Sequence, residues 1–299
     1  MDGRVEFGQL PADKFLEHVV KPYPPGSLDT LTAIHRARIF EIQGLKVTGE
    51  QPITPQMMAF AQKAFFVISQ SLPDNLKPAV CIPRKILAAD SIDLVAKSPD
   101  DIGHMTLGIS GIDTIWVLND GGLPGYEFFN SSFPALSVIR QAQSLAHEIY
   151  HYSAPHRIDQ NGIRVLAVPR YIEEGMSEWF ADTCWPIICQ FFPVEAHLYS
   201  SLLTPKDGYK PADCFIAGVS HNDGRVKSRP RPYIHEFRQC QYYQQISPDF
   251  IDNIQAARMG LNDLPLRLTL AHIDHLVQDK EAARAAKRKQ MVRDLIRGK

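Results

Sequence analysis

SFPALSVIRQAQSLAHEIYHY, residues 132–152, reads as one amphipathic helix. Ser132 offers an N-cap, and Pro134 suits the first turn, where its missing N–H costs nothing. Val138, Ala142, Leu145, Ile149 and Tyr152 then recur at helical spacing, an apolar stripe that has to face a core. On the far side stand His147 and His151, sharing their face with Arg140 and Ser144. At 3.6 residues per turn, positions four apart are only about 40° apart around the axis, so both imidazoles can address one ion. With Glu148 between them they spell HExxH, a spacing that suits two histidines as metal ligands and the glutamate as a base. A helical pair of histidines also arises structurally, each ring satisfied by a carbonyl or carboxylate. The third ligand decides between the two.

A catalytic zinc uses three protein ligands and keeps one position open. RYIEEGMSEWFADTCW, residues 170–185, offers Glu174 and Glu178, again four apart on one helix face. Met176, Trp179, Thr183 and Ile187 lie roughly opposite, and Pro186 should end or kink this helix. Asp159 is a nearer acid that can be weighed as an alternative. A third histidine ten residues after the first is missing, because Arg157 stands there.

HEIYH followed by a helix bearing E-G-x-S-E resembles the gluzincin zinc metallopeptidases, the thermolysin-like and aminopeptidase-like branch of the zincins. The likeness covers about residues 140–182. It implies an α+β, zincin-like fold: an N-terminal mixed lobe with a small sheet and the active-site helix, a mainly helical C-terminal lobe, and a cleft between them. It implies Zn2+ on His147, His151 and Glu174, with Glu148 as general base and Glu178 orienting the first histidine. Position 173 is Glu where many members have Asn. The family brings a His or Tyr from the second lobe to the developing oxyanion; the candidates are His221, Tyr233, His235, Tyr242 and Tyr243, with Tyr233 and His235 preferred, in RPRPYIHEF.

The expected activity is zinc-dependent hydrolysis of a peptide or protein substrate. The alternative is a catalytically inactive zincin scaffold that binds a partner or nucleic acid through a basic C-terminal helix. Residues 280–299 hold eight Lys/Arg against Glu281 and Asp294, although no aromatic residues interleave with the charges as nucleic-acid binding favours.

Around this centre the sequence reads as a helix over 54–71 and strand-like runs at 37–47, 79–87 and 113–120. The last of these, DTIWVLND, is a candidate edge strand for pairing with an extended peptide. Helices follow near 234–246, at 248–259 and from about 265 to 297. The break at 193–213 suggests two lobes, 1–192 carrying the catalytic residues and 193–299 mainly helical with the basic end.

A hydrophobic content of 44% with 22% charged residues excludes a disordered chain or a membrane-embedded body. No signal-like apolar segment opens the chain, and no run is long enough to span a bilayer. Five cysteines without zinc-ribbon spacing point to reduced thiols. The expected setting is the cytoplasm, with signal-independent secretion left open.

Overall fold

The computed structural model describes residues 42–72, 74, 77, 80–96, 104–105, 108–110, 114–119, 134–154, 157–158, 164–165, 168–205, 209–210, 213–219, 225–259, 266–273 and 275. Two sheets share a bent pair of strands at their corner. β1 (Ile42–Thr48) leads into β2 (Gln51–Pro52), which is antiparallel to β3 (Lys85–Ala89), and β3 leads into β4 (Ser91–Ala96), which is antiparallel to β1. The bend falls at Gly49 and Asp90. Gly49 has φ 66°, and a Cβ there would stand 2.0 Å from Asp90 Oδ2, so only glycine suits both the torsion and the space.

β5 (His104–Met105) extends the first sheet beside β4. The second sheet has the order β2-β3-β7-β6, with β6 (Gly108–Ser110) antiparallel to β7 (Thr114–Leu118) and β7 parallel to β3. Thr114–Leu118 is therefore an interior strand, paired on both sides. Among the described residues, the edge on that side of the sheet is Gly108–Ser110. TIWVL is buried at four of its five positions, which suits an inner strand better than an edge.

Ile86, Ala88, Ile115 and Val117 point to one face of this sheet and into the core. Against this sheet packs α2 (Pro134–Ser153), and α1 (Pro55–Gln70) packs in turn on α2 and shares the same core. The Thr54 hydroxyl caps α1 by accepting from Met57 N–H at 3.1 Å, and Met57, Phe60, Ala61, Ala64, Phe65 and Ile68 form its buried stripe. α2 is buried on nearly every side, between the sheet, α1 and the helices that follow. Its proposed cap, Ser132, lies outside the described residues.

A short hairpin of β8 (Arg157–Ile158) and β9 (Arg164–Val165) precedes α3 (Arg170–Thr183). Pro186 acts as expected: α3 stops at Thr183, and a new helix, α4 (Trp185–Phe191), starts with the proline in its first turn. α5 (Pro193–Leu202) follows directly, so the interval read as a break holds a helix.

The segment beyond it is not wholly helical either. β10 (Cys214–Val219) and β11 (Val226–Pro230) form an antiparallel hairpin before α6 (Ile234–Ile246) and α7 (Phe250–Arg258). CFIAGV is a short apolar run, and Asn222-Asp223-Gly224 is a turn signal between two strand-length segments; the helical reading passed over both. Residues 266–273 are helical, and the basic stretch 280–299 lies outside the described residues.

The architecture is thus mixed α+β, as expected. One large core draws on both expected lobes, from Phe60 and Ile115 through Ile172 to Tyr199, Phe237, Ile254 and Ile273. All five cysteines are free, and Cys184, Cys214 and Cys240 are buried. Among the described residues, no helix is long and apolar enough to cross a membrane.

Candidate metal centre

α2 and α3 lie against one another, and their facing sides carry the centre. His147 Nε2 and His151 Nε2 are 3.1 Å apart. Glu174 Oε2 completes a triangle with them, 3.4 Å from the first and 3.3 Å from the second. Donors held 2.0–2.1 Å from one zinc ion at tetrahedral angles are about 3.3–3.4 Å apart. The three atoms therefore form one face of a tetrahedron of that size. Among the described residues, His147, His151 and Glu174 are the group able to hold a metal ion. The Asp159 alternative lies outside those residues.

The remaining ring nitrogens are held from behind. His147 Nδ1 lies 3.0 Å from Glu178 Oε1, and His151 Nδ1 lies 3.3 Å from Glu173 Oε1. A carboxylate can only accept here, so each Nδ1 carries a hydrogen, and each Nε2 is left facing the triangle. Arg170 Nε donates to the other oxygen of Glu174 at 3.2 Å. The Ser177 hydroxyl donates to the Glu173 carbonyl at 2.7 Å and lies 3.2 Å from His151 Nε2.

Glycine in E-G-x-S-E also has a local reason. A Cβ on Gly175 would fall 2.5 Å from the Glu236 carbonyl oxygen and 2.8 Å from Cys240 Sγ, so its absence lets α3 and α6 approach at backbone distance.

The acids around the two rings favour positive charge on them. Burial works against charge on His147, yet hydrogen bonds to Glu174 and Glu178 outweigh it and hold the imidazole well above its usual range. His151 is raised against the same burial by Glu173 and Glu174. Burial would lift the Glu174 carboxyl, but the two histidines hold it well below the ordinary carboxylate range. The side chains of His147, His151 and Glu174 are each 13% exposed, so the triangle keeps some contact with solvent.

Of the two preferred oxyanion candidates, the structure brings Tyr233 to the centre. Its ring stacks on that of His147 with centroids 5.9 Å apart and planes at 22°. Burial, and then Glu174, push its hydroxyl up to about 12. His235 is exposed on the first turn of α6. Tyr242 and Tyr243 are buried in the core, Tyr243 edge-on to Phe250 at 5.3 Å. His221 lies outside the described residues. Glu148 is buried on α2 between the two histidines, and its charge is felt at both His147 and Tyr233.

Glu173 and Arg258 were not singled out from the sequence. Arg258 pairs with Glu173 at 2.9 Å across 85 residues, a separation at which no spacing rule operates. The only sequence signal was the departure at position 173 itself.

Comparisons with family models, with curated proteins and with solved structures found no match.

Proposed function

We propose that this chain is a zinc-dependent hydrolase, a metallopeptidase of the gluzincin kind acting on a peptide or protein substrate. The observation that carries the reading is the triangle of His147 Nε2, His151 Nε2 and Glu174 Oε2, with edges of 3.1, 3.3 and 3.4 Å. Those three residues would hold Zn2+. The ion supplies, when bound, a water acidified to a pKa of about 7 and a Lewis acid for the scissile carbonyl.

Glu148 takes the proton of the attacking water and delivers it to the departing amine. Tyr233 keeps its proton at neutral pH, since its hydroxyl is pushed up to about 12, and so remains a donor for the oxyanion. Glu178 and Glu173 fix the two imidazole rings. In this reading the fold is zincin-like, with β6 as the outer strand beside α2, and an extended substrate pairs along that edge. The free cysteines accord with work in the cytoplasm.

The test joins metal analysis to a peptide-library cleavage assay on the full chain and on Glu148→Gln. Wild type should hold one zinc per chain and cleave. The variant should keep the zinc and lose turnover by about 10²–10⁴-fold. Full turnover by the variant refutes the role of Glu148, and a wild type without bound metal removes the whole reading. Stoichiometric zinc with no cleavage of any peptide favours the inactive scaffold that binds a partner.

A further inference from the structure

Arg258 ends α7, and its side chain is 1% exposed. A guanidinium so deeply placed is costly unless it is paired and hydrogen-bonded. Its Nε lies 2.9 Å from Glu173 Oε2 and its Nη2 lies 3.0 Å from Glu173 Oε1, a fork that fixes the plane of the carboxylate. Nη2 also donates to the carbonyl of Tyr150, and the guanidinium carbon lies 3.7 Å over the Tyr150 ring.

Tyr150 immediately precedes His151. Arg258 thus grips α2 at the peptide that leads into one ligand. Through Glu173 Oε1, 3.3 Å from Nδ1, it also reaches the ring of that same ligand. Glu178, which faces His147, has no such fork among the described residues. The two histidines are therefore held differently, and only the second is tied to α7.

We propose that Arg258 is a positioning residue of the metal centre: acting through Glu173, it orients His151 and so sets the affinity of the site for a divalent cation of the zinc type. The proposal rests on the metal-centre reading and is independent of whether the chain hydrolyses peptides. α7 thereby becomes part of the metal site while contributing no ligand to it.

The experiment uses the full chain, with Zn2+ affinity measured by competition against a chromophoric chelator and ligand geometry read from the visible absorption of the Co2+-loaded protein. Three variants are compared with wild type: Glu173→Gln, Arg258→Lys and the double variant. Glutamine keeps an oxygen that can accept from Nδ1 but abolishes the charged fork. Lysine keeps the charge but cannot bridge both carboxylate oxygens and the Tyr150 carbonyl together.

Each single change should weaken Zn2+ binding by about 10–100-fold and shift the Co2+ band, with far-UV circular dichroism retained. The double variant should be no weaker than the weaker single one, because both residues act through the same ring. Losses that multiply in the double variant would show general softening and overturn the proposal, as would wild-type affinity and spectrum in either single variant. A wild type that binds no metal removes the metal-centre reading and this proposal together, whereas stoichiometric wild-type metal with unchanged variants overturns this proposal alone.

Discussion

Tyr233 holds φ at 52°, in the left-handed region, which costs a residue with a β-carbon about 1–2 kcal/mol. Such a torsion persists only where the surroundings over-determine it, and here the ring lies nearly parallel to that of His147 at the head of α6. Tyr233→Phe keeps ring and backbone but deletes the hydroxyl. It should leave metal content unchanged and lower kcat by about 10²–10³-fold with little change in KM, measured on the best library peptide. Unaltered kcat would reduce Tyr233 to a packing residue. The choice between Tyr233 and His235 was not legible in RPRPYIHEF, because which ring meets His147 depends on the left-handed turn at 233 and on where α6 docks, and spacing reports neither. Glu174 and Glu178 were legible, since i, i+4 spacing is a property of the helix alone. Glu173 was not: a buried acid is intelligible only with its counter-charge, and that comes from Arg258, 85 residues on.

At the scale of elements, the close approach of α3 and α6 is what holds the helix bearing Glu174 in place. Gly175→Ala would set a methyl 2.5 Å from the Glu236 carbonyl oxygen, a backbone atom that cannot swing aside. The two helices would have to separate, at a cost of about 1–3 kcal/mol. A lowered denaturant midpoint with unchanged slope is the expected result, and a wild-type midpoint would mean that the helices have room to spare. Element types were readable where a single period ran unbroken. α1, α2, α3, α6 and α7 all lie close to where their apolar stripes, caps and prolines put them. Pairing was harder, because it is non-local. Thr114–Leu118 announces itself as a strand, but its flanking by β3 and β6 depends on where two other segments settle. The β10–β11 hairpin carries local signals in both strands and the turn, but a short apolar run such as CFIAGV fits a buried helix segment equally well, and pairing alone decides between them.

At the scale of the molecule, the three candidate ligands come from α2 and α3, while Tyr233 and Arg258 reach them from beyond residue 202. The core is likewise shared across that distance. A cation bound by His147, His151 and Glu174 binds only the folded chain, because unfolding scatters residues 147, 151 and 174 onto a flexible segment. Mass action then adds about 2.7 kcal/mol of stability when free metal stands at a hundred times its dissociation constant. At about 2–4 °C per kcal/mol for a chain of this order of size, stripping the metal should lower the melting temperature by about 5–10 °C. Differential scanning calorimetry with and without a chelator measures the shift, and readdition of Zn2+ should restore the upper value. His147→Ala should melt at one temperature in both conditions, since it lacks a ligand whose loss the chelator could mimic. A wild-type transition that ignores the chelator, in protein shown to carry metal, would mean that the ion sits elsewhere and that the triangle is an ordinary hydrogen-bonded cluster of two histidines and their acids.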